Sequence, residues 1–135
     1  MVVVDGQGLP LGVHLDSASP GEVTLIEPLL ESLVLSPREG PLRRLIYDKA
    51  ADSDPLRARL RRRGIELICP HRAKRTRPPT QDGRALRRSA RRWKVERTFA
   101  WFGNFRRLVV RYESLIEMYR AFFRVACILI LLRRF

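Results

Sequence analysis

Two carboxylates stand where they could do chemistry. Asp48 follows directly on the short apolar run Leu42 to Tyr47. A strand there would carry it to the strand's C-terminal end, where α/β sheets present ligand sites. Glu96 lies in the run Arg-Arg-Trp-Lys-Val-Glu-Arg-Thr-Phe, with Arg92 four residues earlier, on the same face of a helix. Hard divalent cations such as Mg2+ or Mn2+ take carboxylate oxygens, so both acids are candidate metal ligands. Each has a plainer alternative, because an acid among arginines can be a surface ion-pair partner of little energetic weight. Asp52 and Asp54 read as helix-start residues rather than ligands. His71, a lone histidine beside arginines, suits phosphate or solvent better than catalysis.

The basic residues define a second chemistry. The chain has 135 residues, with 27 Lys+Arg against 14 Asp+Glu and a formal net charge of +13. Residues 1–56 hold 4 basic and 9 acidic side chains, whereas residues 57–111 hold 19 and 3, so the middle segment alone carries a net +16. Only Lys49, Lys74 and Lys94 are lysines. Arginine's planar fork suits bidentate contact with phosphate, and so concentrated a charge calls for a polyanion, nucleic acid before a membrane surface. The candidate phosphate contacts are Arg72, Lys74, Arg75 and Arg77, then Arg87, Arg88 and Arg91, and finally Lys94, Arg106 and Arg107. No segment has the look of a base-reading helix, so binding is expected to be mainly to the backbone and steeply salt-dependent.

Composition removes other classes. A hydrophobic content of 45% argues against a disordered tail. No run approaches the roughly 18 apolar residues of a membrane span, and the first ten residues lack the pattern of a secretion signal, which points to the cytoplasm. Cys69 and Cys127 stand apart from each other and from any metal-ligand spacing, so neither a disulfide framework nor a zinc site is suggested.

These side chains must be positioned by a small set of elements. Val2-Val3-Val4, the turn chemistry of Gly6-Gln7-Gly8 and the run Leu9 to Leu15 predict a hairpin over 1–16. Apolar residues at helical spacing predict a helix over 21–34, followed by a linker at Pro37 to Pro41. Residues 42–69 read as strand, helix and strand, with Pro55 in the helix's first turn and Gly64 as its stop. Residues 71–83 carry two prolines and no apolar periodicity, and read as a mobile basic loop. Residues 84–135 read as C-terminal helices: one long helix to about Phe102, an ambiguous stretch at 108–112, and a last helix apolar enough to be largely buried. Trp93, Phe99, Trp101 and Phe102 are expected in the core rather than as stacking platforms. The alternation of strands and helices predicts an α/β fold, with helices on one mixed sheet.

Four motifs in order carry a family resemblance. They are Leu-Ile-Tyr-Asp48-Lys-Ala-Ala-Asp-Ser-Asp-Pro-Leu, Arg-Gly-Ile-Glu-Leu-Ile-Cys-Pro-His-Arg, Arg-Arg-Trp-Lys-Val-Glu96-Arg-Thr-Phe-Ala-Trp-Phe and Asn-Phe-Arg-Arg-Leu-Val-Val-Arg-Tyr-Glu. Over nearly its whole length the chain resembles bacterial insertion-sequence transposases of the Asp-Asp-Glu type, the insertion-sequence four and five group. The resemblance implies an RNase H-like fold and metal-dependent DNA cleavage and strand transfer by three carboxylates and two ions of Mg2+ or Mn2+. By position, Asp48 matches the second catalytic Asp, Glu96 the catalytic Glu, and Arg92 the arginine that supports it. The signature's tyrosine and lysine fall at Ser89 and Gly103, and a tyrosine usual in the first motif falls at Ala51.

The resemblance also implies a shortfall. The family's first catalytic Asp lies on a strand upstream of the segment matching Val2 to Gly6, and Asp5, at a turn start, does not replace it. The chain is therefore expected to be the C-terminal part of a catalytic domain lacking its first strand, with weak or absent metal binding and doubtful activity alone. DNA, both transposon ends and target, is the implied partner, with a homo-oligomer possible, no membrane, and a nucleoid-associated place in the bacterial cytoplasm. A basic protein that binds DNA without cutting it, and so interferes with an intact transposase, is the competing class. An RNA-binding protein is a third class, which leaves Asp48 and Glu96 in their motifs unexplained.

Overall fold

The structure, a computed structural model, describes residues 1–17, 19–33 and 40–134. The expected linker at Pro37 to Pro41 falls mostly outside the described residues. The chain divides into two compact units, one formed by Met1–Pro20, Leu25–Val34 and Trp93–Phe135, the other by Gly21–Thr24 and Leu35–Arg92.

In the first unit, β1 (Val2–Val4) pairs antiparallel with β2 (Pro10–Val13). Their loop is closed by Asp5, whose Oδ1 accepts from the backbone N–H groups of Gln7 at 2.7 Å and Leu9 at 2.8 Å. This Asx-type turn gives Asp5 a local structural role. α1 (Glu22–Glu31) begins among residues of the second unit and continues into this one, burying Ile26, Leu29 and Leu30. Gly12 of β2 lies against Ser32 and Leu33, where a Cβ would come within 2.9 Å of the leucine side chain.

The core of this unit is built from α4 (Trp93–Phe102) and α6 (Ile116–Leu132). Phe102, Phe123, Ala126 and Ile130 are buried together, with Val2, Val13, Trp101, Phe105 and Tyr119 packed around them. The rings of Phe102 and Phe123 sit 4.6 Å apart, and burial of each such side chain contributes about 1.5–3 kcal/mol. Of the ambiguous stretch 108–112, Leu108 and Val109 end the four-residue helix α5 (Arg106–Val109), and the residues at 110–112 form neither helix nor strand. The expectation that the last helix is largely buried is corrected. Only Phe123, Ala126 and Ile130 are buried, while Met118, Val125, Ile128, Leu129 and Leu132 face water. A single stripe of the helix is enough to close this core. No helix among the described residues is long and apolar enough to cross a membrane.

The second unit is a strand–helix–strand element. β3 (Arg44–Ile46) pairs in parallel with β4 (Glu66–Ile68), joined through α2 (Asp54–Arg62). α2 starts with Ser53, whose Oγ accepts from the Leu56 N–H at 3.4 Å, and ends before Gly64 at φ +76°, a left-handed position natural to glycine. Leu56, Leu60, Ile68 and Cys69 are fully buried. Among the described residues, the one mixed sheet expected from the alternation is not formed. The described strands make two separate two-stranded ladders, one antiparallel and one parallel. Local pattern specifies a strand but not its distant partner, and these strands are three or four residues long.

The long helix expected from residue 84 is also corrected. α3 (Gly83–Arg87), capped by Asp82, gives way to a 3-10 segment at Arg88–Arg92 before α4 begins.

Candidate functional site

Asp48 sits at the C-terminal end of β3, as its position after an apolar run implies, and caps the 3-10 turn Lys49–Ala51. Its Oδ1 accepts from the Ala50 N–H at 2.8 Å. Its Oδ2 faces the Nη1 of Arg92 at 3.5 Å, with the carboxylate 37% exposed. The arginine four residues before Glu96 in the sequence thus meets the strand-end aspartate within one compact unit. Beside it, the Tyr47 hydroxyl donates to Glu22 Oε2 at 3.2 Å. Burial, reinforced by the charges of Glu22 and Asp48, holds this phenol protonated far above the usual tyrosine range.

Four residues on, Asp52 has a different environment. Its side chain is 3% exposed and serves as the hub of a polar network. Oδ1 accepts from Arg57 Nη2 at 2.9 Å and Arg75 Nη1 at 3.4 Å, and meets His71 Nδ1 at 2.9 Å. Oδ2 accepts from the Arg72 backbone N–H at 2.9 Å. The Nε2 of His71 accepts from the Thr80 N–H at 3.1 Å, so the proton of the neutral ring belongs on Nδ1, pointing at Asp52. Burial alone would raise the Asp52 pKa, but the Arg72 N–H, His71 and Arg57 outweigh it and hold the carboxyl below its ordinary range. Asp54 binds Arg75 through both oxygens, at 2.9 and 3.0 Å, and Arg77 at 3.2 Å. Asp52 is therefore not the N-cap of α2 but the anchor of the basic loop, and Ser53 caps α2 instead. The signal available in the sequence was a solitary histidine within a run of arginines.

Glu96 lies exposed in the first turn of α4, in the other unit. Here the β1–β2 loop grips the helix. Lys94 Nζ donates to the Gly6 carbonyl, Arg97 Nη2 to the Gln7 carbonyl, and Thr98 Oγ1 to the Gly8 carbonyl at 2.5 Å. Thr98 is fully buried. Gly8 has φ +86°, and a Cβ there would stand 2.9 Å from the Arg97 guanidinium and 3.3 Å from the Lys94 carbonyl. Three successive carbonyls and a glycine with no room for a side chain fix the helix that bears Glu96. Sequence reasoning assigned none of this, because the partners lie about ninety residues apart.

The candidate phosphate contacts divide by environment. Arg72 is exposed but donates to the Lys49 and Ala50 carbonyls, at 3.3 and 2.9 Å. Arg75 is 13% exposed and turned toward Asp52 and Asp54, whereas Arg77 is 74% exposed. Lys74, Arg87, Arg91 and Arg106 are exposed, Arg88 is half-buried, and Lys94 is held by Gly6. Arg107 pairs with Glu113 at 2.7 Å, a contact that holds that carboxyl below its ordinary pKa range. The aromatics expected in the core also divide, with Phe102 buried and Trp101 partly so, but Trp93 and Phe99 each half exposed.

Asp48 and Glu96 offer oxygens of the kind Mg2+ or Mn2+ prefers. Yet one Asp48 oxygen is committed to a backbone N–H and the other faces a guanidinium, and no group of three or more His, Cys, Asp or Glu gathers among the described residues. These residues do not by themselves fit a metal centre, and no chemical step is derived through one.

Residues 1–131 match the family described as the transposase DDE domain. The chain is also 39% identical, over 134 residues, to a Burkholderia cepacia protein provisionally named a transposase for insertion sequence element IS402. That alignment takes in 96% of this chain and 60% of the relative, so the chain spans about three-fifths of the relative's length. No solved structure matches.

Proposed function

The chain belongs to the transposase DDE-domain family, and from that premise we propose that it is the part of an RNase H-like transposase catalytic domain that supplies two of the carboxylates, Asp48 and Glu96, for metal-dependent DNA cleavage and strand transfer. The observation that carries this reading is the 3.5 Å approach of Arg92 to Asp48. It joins the strand-end aspartate to the arginine of the motif that contains Glu96. A carboxylate that works next to a phosphodiester needs a nearby positive charge to offset anion repulsion, and Arg92 supplies it. The exposed basic residues Lys74, Arg77, Arg87, Arg91 and Arg106 hold the DNA backbone without reading sequence. The two-metal chemistry of the family takes three carboxylates. On this reading the chain by itself binds DNA without cutting it, acting in the bacterial cytoplasm on transposon ends and target.

Duplex binding at several salt concentrations tests the proposal. Affinity should fall linearly in log–log form, and Lys74→Ala or Arg91→Ala should each flatten the slope by about 1. Salt-insensitive binding, or tighter binding to structured RNA than to duplex DNA, would overturn the DNA reading. Mg2+-dependent nicking by the purified chain, lost in Asp48→Ala, would overturn the claim that it binds without cutting.

A further inference from the structure

We infer that the Trp93 face of α4 is a stacking platform for an unpaired base of single-stranded DNA. Trp93, Arg97 and Trp101 follow one another at four-residue spacing along the helix. The Arg97 guanidinium lies 4.9 Å from the centroid of each indole, and Arg134 continues the ladder at 4.4 Å from Trp101. The Nε of Arg97 has no hydrogen-bond partner, so the two rings, with the Gln7 carbonyl on Nη2, are what hold the side chain in place. One end of the ladder is packed, since Trp101 lies against the Phe102–Phe123 core. The other end is open, with Trp93 half exposed.

An indole left in water and braced by a cation is a surface prepared for another flat ring. Charge complementarity selects the ring's carrier. The ladder's own rungs Arg97 and Arg134 are cationic, Lys94 follows Trp93 in the chain, and residues 57–111, which include Trp93, Arg97 and Trp101, carry a net +16. An anionic strand with aromatic bases matches both properties. The base must be unpaired, because in a duplex its faces are already covered by its neighbours. Glu96 is three residues beyond Trp93 and adjoins it on the helix surface, so a strand stacked there passes beside a candidate catalytic carboxylate. The inference rests on the nucleic-acid reading above and adds to it a preference for single-stranded regions.

The test is a tryptophan-fluorescence titration of the purified chain with oligothymidylate and, separately, with a duplex of mixed sequence. The chain contains two tryptophans, so Trp101→Phe leaves Trp93 as the sole indole reporter. The single strand should quench Trp93 and the duplex should not. Trp93→Ala should weaken single-strand binding about 5- to 150-fold, the equivalent of one stacked base, with duplex affinity and salt slope unchanged. Trp93→Phe should keep most of the affinity, which guards against an alanine variant that merely misfolds. Single-strand binding without quenching, or equal losses on both DNAs in Trp93→Ala, would overturn the platform while leaving backbone binding intact. Quenching by the single strand with no salt-dependent duplex binding would overturn the backbone reading and leave the platform standing. Binding to neither DNA would overturn both.

Discussion

The two ends of the Lys49–Ala51 turn carry carboxylates with opposite surroundings. Asp48, at the strand end, keeps more than a third of its side chain in water and meets one guanidinium at the outer edge of hydrogen-bonding range. Asp52, after the turn, is almost wholly enclosed and meets two guanidinium groups, a histidine and a backbone N–H. Burying a charge is favourable only when its partners are close and complete, so Asp52 has become part of the framework and lost any freedom to take a ligand. Asp48 has not. The difference teaches that two neighbouring acids can be a framework residue and a solvent-facing one, and it turns on burial and partner number rather than residue type.

The sharpest way to break that comparison is to truncate each acid in turn. Asp52→Ala removes the buried hub on which Arg57, Arg75, His71 and the Arg72 N–H converge, and should cost about 3–5 kcal/mol in urea denaturation. The same group shapes the acid response. Its folded pKa lies below the unfolded value, so the stability it contributes is present at neutral pH and is lost as pH falls through the folded pKa. Unfolding free energy should therefore decline below about pH 4, with Asp52's share of the slope absent in Asp52→Asn. Arg75→Ala, which removes the 3.4 Å donor to Asp52 and the contact with both Asp54 oxygens while Arg57, His71 and the Arg72 N–H stay on Asp52, should cost about 1–3 kcal/mol. Asp48→Ala should lose about 1 kcal/mol, the value of a cap. A loss equal to that of Asp52→Ala would erase the distinction. Arg77→Ala, at a largely exposed ion pair, should change stability by about 0–1 kcal/mol and show itself instead as weaker DNA binding.

Features set by neighbours in the chain were legible in the sequence. The hairpin follows from three valines and a glycine turn, and α2 from its early proline and terminal glycine. The placement of Asp48 at a strand end followed from the apolar run before it. What pattern could not supply was distant pairing. Asp52 finds His71, Arg72 and Arg75 beyond α2 and β4, and Thr98 finds the Gly8 carbonyl ninety residues away in the chain. Nor could periodicity say how much of an apolar helix its neighbours would cover. α6 carries apolar residues around most of its surface and buries one stripe, and Trp93 shares a helix with the core residue Phe102 yet stays half in water.

The grip of the hairpin loop on α4 also bears on the order in which the chain can acquire structure. Between Gly8 and Thr98 runs the whole strand–helix–strand unit, which closes through much nearer contacts. Nearby contacts form sooner, because they close shorter loops. During synthesis the valine hairpin therefore emerges well before the helix that holds it, and waits while the parallel element assembles. An isolated two-stranded hairpin is marginal in water. Docking of Gly6 to Gly8 onto Lys94, Arg97 and Thr98 is thus a late event of folding, and it coincides with the fixing of the helix that carries Glu96.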